Sequence, residues 1–91
     1  MSNSKKTVVI TGASQGLGEG MVKAFRELGY NIVATSRSIQ ESADAGILAV
    51  AGDIGDPETA ERVVRQGLER FGRIDTLVNN AGVITAKPFT D

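Results

Sequence analysis

Cysteine and histidine are both absent from this 91-residue chain, and the two absences remove most familiar routes to covalent and metal chemistry. Without a thiol there is no disulfide and no thiolate metal site. Without an imidazole there is no Ser-His or Cys-His nucleophile pair, and the commonest metal ligand is missing. An excess of one charge is lacking too. Ten basic and eleven acidic residues, interspersed, give a net charge of −1, which offers nothing to draw in nucleic acid or a membrane surface. Long apolar runs are also missing. Val8 to Ile10 is too short for a signal-peptide core or a membrane span, so a soluble cytoplasmic protein is expected. The length allows one small domain with a thin core, marginal in stability without partners. Whatever chemistry remains must rest on backbone amides, hydroxyls, carboxamides and carboxylates.

Glycine, by contrast, is concentrated in Thr11-Gly-Ala-Ser-Gln-Gly-Leu-Gly18, between a short apolar run and a helical pattern. Gly12, Gly16 and Gly18 fall where a strand must turn sharply into a helix. Glycine adopts backbone angles closed to other residues and lets a bulky anion reach the main chain. The following helix would aim its free N–H groups and the positive end of its dipole at that anion. A pyrophosphate fits, so the stretch reads as a dinucleotide-binding turn. Its spacing is Gly-x-x-x-Gly-x-Gly, not Gly-x-Gly-x-x-Gly. No Gly-Lys-Ser/Thr follows, which argues against a nucleoside triphosphate loop.

The rest of the chain alternates between strand and helix patterns. Thr7 to Thr11 reads as a buried strand, and Gly16 to Leu28 as an amphipathic helix with Leu17, Met21, Val22, Phe25 and Leu28 inward. Glu19–Lys23 and Lys23–Glu27 suit its solvated side, and Gly29 its C-terminal cap. Asn31 to Ser36 is a second strand, Arg37 to Gly46 a polar loop, and Ile47 to Ala51 a third strand. Asp56-Pro57-Glu58 is a helix start, with a capping side chain, a first-turn proline and an early acid. Ala60, Val63, Val64, Leu68 and Phe71 then form the expected buried stripe, with Glu58–Arg62, Glu61–Arg65 and Arg65–Glu69 outside. Gly67 costs this helix about 1 kcal/mol relative to alanine, which predicts tight packing there. Gly72 caps it, Ile74 to Asn79 is a fourth strand, and Val83 to Asp91 has no period. This alternation predicts an α/β fold: a parallel sheet with helices packed on it.

Ligands of such sheets bind beyond the carboxyl ends of the strands. That rule gathers Thr11–Gly18, Ser36-Arg37, Asp53-Ile54 and Asn79–Gly82 along one edge. Ser36 and Arg37 stand where the adenosine ribose of a dinucleotide would rest. A hydroxyl and a guanidinium suit the 2′-phosphate of NADP, whereas NAD would call for an acid. The plain alternative is a solvated loop arginine. Asp53 is either a turn residue or the acceptor for the adenine amino group, with Ile54 pressing on the ring. The asparagines of Asn79-Asn80-Ala81-Gly82 must satisfy several polar atoms, so they stitch the sheet, while Ala81 and Gly82 leave room for a cofactor ribose.

Taken together, Thr11-Gly-x-x-x-Gly-x-Gly18, Asp53 and Asn79-Asn-Ala-Gly82 resemble the short-chain dehydrogenase/reductase family, over Thr7 to about Asp91. The glycine spacing is similar to that of the compact carbonyl reductases and alcohol dehydrogenases. The resemblance implies a Rossmann-type doubly wound parallel sheet, four strands in order 3-2-1-4 with helices on both faces. Residues 1–91 would be the NAD(P)-binding half of that domain, with no second domain. It also implies hydride transfer between a nicotinamide, NADP before NAD, and a small carbonyl or alcohol, in a parent enzyme that is a homo-oligomer. Carried onto this chain, Thr11, Gly12, Ser14, Gln15, Gly16, Leu17 and Gly18 lie at the pyrophosphate, Ser36 and Arg37 at the 2′-phosphate, Asp53 and Ile54 at adenine, and Asn80, Ala81 and Gly82 beside the nicotinamide ribose. Members that prefer NADP often carry a basic residue where this chain has Gln15, which leaves Arg37 as the charged argument for NADP.

The family's catalytic serine and Tyr-x-x-x-Lys have no match. The sole tyrosine, Tyr30, has Ala34 four residues on, so no catalytic residue is assigned. Two functions follow: the cofactor part of a longer oxidoreductase, or a non-catalytic dinucleotide-binding or interaction module. On the second reading the fourth strand exposes an apolar edge and predicts self-association.

Overall fold

All five residues of Thr7–Thr11 (β1) are β-branched, and all five are buried. A strand covered on both faces takes such residues without alternation. In the computed structural model, which describes residues 5–14 and 16–80, β1 is followed by Gly16–Glu27 (α1), Asn31–Ser36 (β2), Ile47–Ala51 (β3), Pro57–Phe71 (α2) and Thr76–Val78 (β4). The strands form one parallel sheet in the order β3-β2-β1-β4. It is the expected Rossmann-type arrangement.

The register sorts side chains onto two faces. Val8, Ile32 and Ile47 stand side by side, as do Val9, Val33 and Leu48. The first set belongs to a cluster of Val8, Ile10, Ala13, Ile32 and Ala34, against which Met21, Val22 and Phe25 of α1 pack. The second set belongs to Val9, Val33, Val50 and Val63, joined by Leu48, Ile54, Phe71 and Ile74 beneath α2. One helix therefore covers each face.

Several expected details are corrected. Leu17 and Leu28 are 71% and 72% exposed, so neither belongs to the buried stripe of α1. The helix ends at Glu27, and the chain turns there as Gly29 N–H reaches the Arg26 carbonyl and Tyr30 N–H the Phe25 carbonyl. That turn carries Leu28 away from the sheet. On α2 the buried line is Thr59, Val63 and Gly67, while Ala60, Val64 and Leu68 are exposed. The helix is rotated toward its small residues because Gly67 lets it come close. A Cβ there would lie 3.0 Å from Val33 Cγ2 and 3.2 Å from Ile74 Cδ1, the tight packing expected of this glycine. Arg62, expected to pair with Glu58, donates instead to the Ala51 carbonyl at 3.1 and 3.2 Å, while Arg65–Glu61 stands at 3.9 Å. Both ends of α2 are as expected. The Asp56 carboxylate accepts from Glu58 N–H at 3.0 Å, Pro57 opens the helix, and Gly72 closes it at φ 83°.

The fourth strand is shorter than Ile74 to Asn79 because side chains take over the ladder at both ends. Below it, Thr7 N–H donates to Asp75 Oδ2 at 2.9 Å, while Asp75 N–H reaches the Thr7 carbonyl. Above it, the Thr11 hydroxyl replaces a backbone partner. No helix joins β2 to β3; the connection is clamped by Arg26, which grips both Asp44 oxygens at 2.9 Å. Gly46 packs so close to that guanidinium that no side chain fits. Among the described residues no helix is long and apolar enough to cross a membrane.

Candidate functional site

Because all four strands run the same way, their carboxyl ends share one edge of the sheet, and the turns that leave them meet there. Thr11 is the first join. Its hydroxyl accepts from Asn80 N–H at 2.8 Å and donates to Asn79 Oδ1 at 3.0 Å, which fixes the end of β4 against that of β1. Gly12 then takes φ 64°, an angle that suits glycine. Gly18 backs onto it: a Cβ at Gly18 would collide with the Gly12 carbonyl and lie 2.9 Å from Asn80 Nδ2. Gly12, Gly18 and Asn80 therefore form one close-packed knot.

The second join is made of hydroxyls. Ser14 Oγ lies 2.7 Å from Ser36 Oγ and 3.3 Å from Ser38 Oγ, so the glycine turn is tied to the residues on either side of Arg37. Ala13 N–H donates to the Thr35 carbonyl at 3.2 Å and reinforces the tie. The third join is ionic. Arg37 Nη2 stands 3.3 Å from Asp53 Oδ2, bridging the tips of β2 and β3. Asp53 Oδ1 accepts from Gly55 N–H at 2.9 Å, so the turn reading of this residue holds whatever else it does. Ile54 is partly buried against the second cluster.

Gly16 is different from its neighbours. A Cβ there would meet nothing within 4 Å among the described residues. Leu17 stands open beside it at the start of α1. The structure thus brings Thr11, Gly12, Ser14, Gly16, Leu17, Gly18, Ser36, Arg37, Asp53, Ile54 and Asn80 to one edge. Gln15, Ala81 and Gly82 lie outside the described residues, as does the stretch from Val83 to Asp91. Sequence reasoning missed Ser38 and the pairing of Arg37 with Asp53. The second was available in principle, since opposite charges had been placed on adjacent strand tips.

A glycine-turned β1–α1 unit in a 3-2-1-4 parallel sheet defines a Rossmann-type α/β protein. The comparisons then name the kind. The chain belongs to the short-chain dehydrogenase family, whose model, short chain dehydrogenase, matches residues 6–91. It is similar to the oxidoreductase UcpA of Escherichia coli K12, with 39% identity over 94% of this chain and 36% of that protein. Among solved structures it is similar to a short-chain dehydrogenase/reductase of the glucose/ribitol dehydrogenase kind from Brucella melitensis. That match has a TM-score of 0.80 and 33% identity, and covers 99% of this chain and 41% of the other. A 3-ketoacyl-(acyl-carrier-protein) reductase from Brucella melitensis, solved with NADH, gives a TM-score of 0.72 and 38% identity over 86% of this chain and 34% of its own. The chain spans about a third of the length of UcpA.

Proposed function

We propose that these residues hold NADP(H), with NAD(H) the weaker ligand, as the cofactor part of an oxidoreductase acting on a small carbonyl or alcohol. Gly16 carries the reading. It is the first residue of α1, and a side chain there would meet nothing among the described residues, so the first turn of the helix stands bare on the side of the glycine turn. A ligand can lie directly against that turn. The residues present fit such a ligand. Gly12, Gly16 and Gly18 leave the main chain bare at the N-terminus of α1, whose amides and dipole suit a pyrophosphate. Thr11 and Asn80 hold the turn, while Gln15 and Leu17 flank it.

Ser36 and Arg37 supply a hydroxyl and a guanidinium for the 2′-phosphate, which is why NADP is preferred. Asp53 accepts from the adenine amino group, Ile54 borders the ring, and Asn80 with Ala81 and Gly82 lies by the nicotinamide ribose. When bound, the nicotinamide gives or takes a hydride. The NADH held by the Brucella melitensis reductase supports a nicotinamide and leaves the choice of phosphate to Arg37. In this reading the working enzyme is cytoplasmic and homo-oligomeric. Residues 1–91 alone turn over no substrate, because Tyr30 has no lysine four residues on and sits edge-on to Phe25 at 5.0 Å.

Fluorescence titration with NADPH and NADH tests the reading. Gly16→Ala should leave the fold intact or slightly stabilised and weaken NADPH binding about tenfold, the effect of a methyl group forced into a close contact. Gly20→Ala, one turn along α1 and also facing open space, should stabilise without weakening binding. Equal NADPH affinity in both variants would contradict the proposal.

A further inference from the structure

The ion pair of Arg37 with Asp53 joins the two side chains that the proposed site assigns to different parts of the cofactor. Resting on the reading that the strand tips hold a dinucleotide, we propose that Asp53 sets the preference between NADP(H) and NAD(H), as the counter-ion of Arg37. Three observations carry this. The Arg37 side chain is 80% exposed, so the guanidinium is free to swing between partners. Its backbone is not free, because Ser36 and Ser38 on either side both bond to Ser14. The Asp53 carboxylate is held from its other side, since Oδ1 accepts from Gly55 N–H at 2.9 Å while Oδ2 faces Arg37.

An arriving 2′-phosphate must therefore share the guanidinium with a carboxylate that stays in place. It gains a cation whose charge that carboxylate already partly offsets. A 2′-hydroxyl makes no such demand. Asp53 thus holds back the advantage that Arg37 gives to NADP(H), and the site remains open to both cofactors.

The test is the ratio of NADH to NADPH dissociation constants, measured by fluorescence titration of the whole chain. Asp53→Asn keeps the acceptor for Gly55 and removes only the charge. It should raise the ratio about fivefold in favour of NADPH, the scale of one exposed charge pair, and less at high salt. In an Arg37→Ala background the same substitution should change the ratio less than about twofold, because the counter-ion has nothing left to restrain. An unchanged ratio for Asp53→Asn would overturn the proposal while leaving the dinucleotide reading in place. An equal change with and without Arg37 would overturn it too, since Asp53 would then act directly. Failure of either dinucleotide to bind the unaltered chain would overturn the underlying reading and this proposal with it.

Discussion

Threonines separate structural from costly polar groups at the scale of one residue. Thr11 and Thr35 are both buried, and they face each other in the register of β1 and β2. The Thr11 hydroxyl bonds to both Asn79 and Asn80, whereas Thr35 Oγ1 and Thr7 Oγ1 have no partner among the described residues. A buried hydroxyl without a partner keeps its desolvation cost and returns nothing. Thr35→Val should therefore leave stability unchanged or raise it by about 1 kcal/mol, and Thr7→Val likewise. Thr11→Val should lower it by about 1–3 kcal/mol, because Asn80 N–H and Asn79 Oδ1 lose their partner. Urea denaturation of the three variants checks this. A common sign for all of them would contradict it.

Elements show where the sequence was legible and where it was not. The bounds of β1, β2, β3 and the start of α2 could be read directly, since β-branched runs and the Asp56-Pro57 cap act locally. The inward side of α2 could not. Counting apolar residues favours Val64 and Leu68, but the buried residues of α2 are Thr59, Val63 and Gly67, with Phe71 packed against the same cluster. Small size rather than apolarity decided the rotation, and size matters only once a partner surface exists. The ends of β4 were hidden for a similar reason. They depend on Thr7, Thr11 and Asp75, which lie far apart in sequence. Of the candidate site, the gathering of the tips could be read from strand order, but not the bonds that tie one tip to another.

Two clasps give the elements a pH response. Hydrogen bonding from Arg73, then from Thr7 N–H, holds the Asp75 carboxyl below its ordinary value. Arg26, then Gly46 N–H, does the same for Asp44. A depressed carboxyl contributes stability that is fully present above its unfolded pKa and is lost as pH falls through the folded one. Stability should therefore be flat near neutrality and decline below about pH 4. In Asp75→Asn the decline should be shallower. An acid limb of unchanged steepness in urea midpoints against pH would remove this clasp from the account.

Across the whole molecule, one face is left incompletely covered. Val64, Leu68 and Leu77 are 49%, 46% and 42% exposed, and Leu77 shares the α2 side of the sheet through its register with Val9. Exposed apolar side chains on α2, and Leu77 on the three-residue β4, favour association. The chain should sediment as more than a monomer at concentrations on the order of tens of micromolar, where exposed apolar surface drives association. Leu77→Lys together with Leu68→Lys should return it to a monomer. Monomeric behaviour of the unaltered chain would contradict this expectation.

The central claim is that separate turns make one binding edge, and amide chemical-shift mapping with NADPH tests it most directly. Gly12, Gly16, Gly18, Ser36, Arg37, Asp53 and Asn80 should shift together along a single titration curve, while Lys6, Arg73 and Asp75 at the far end of the sheet stay unmoved. Shifts centred on that far end, or confined to one turn while the others stay silent, would contradict it.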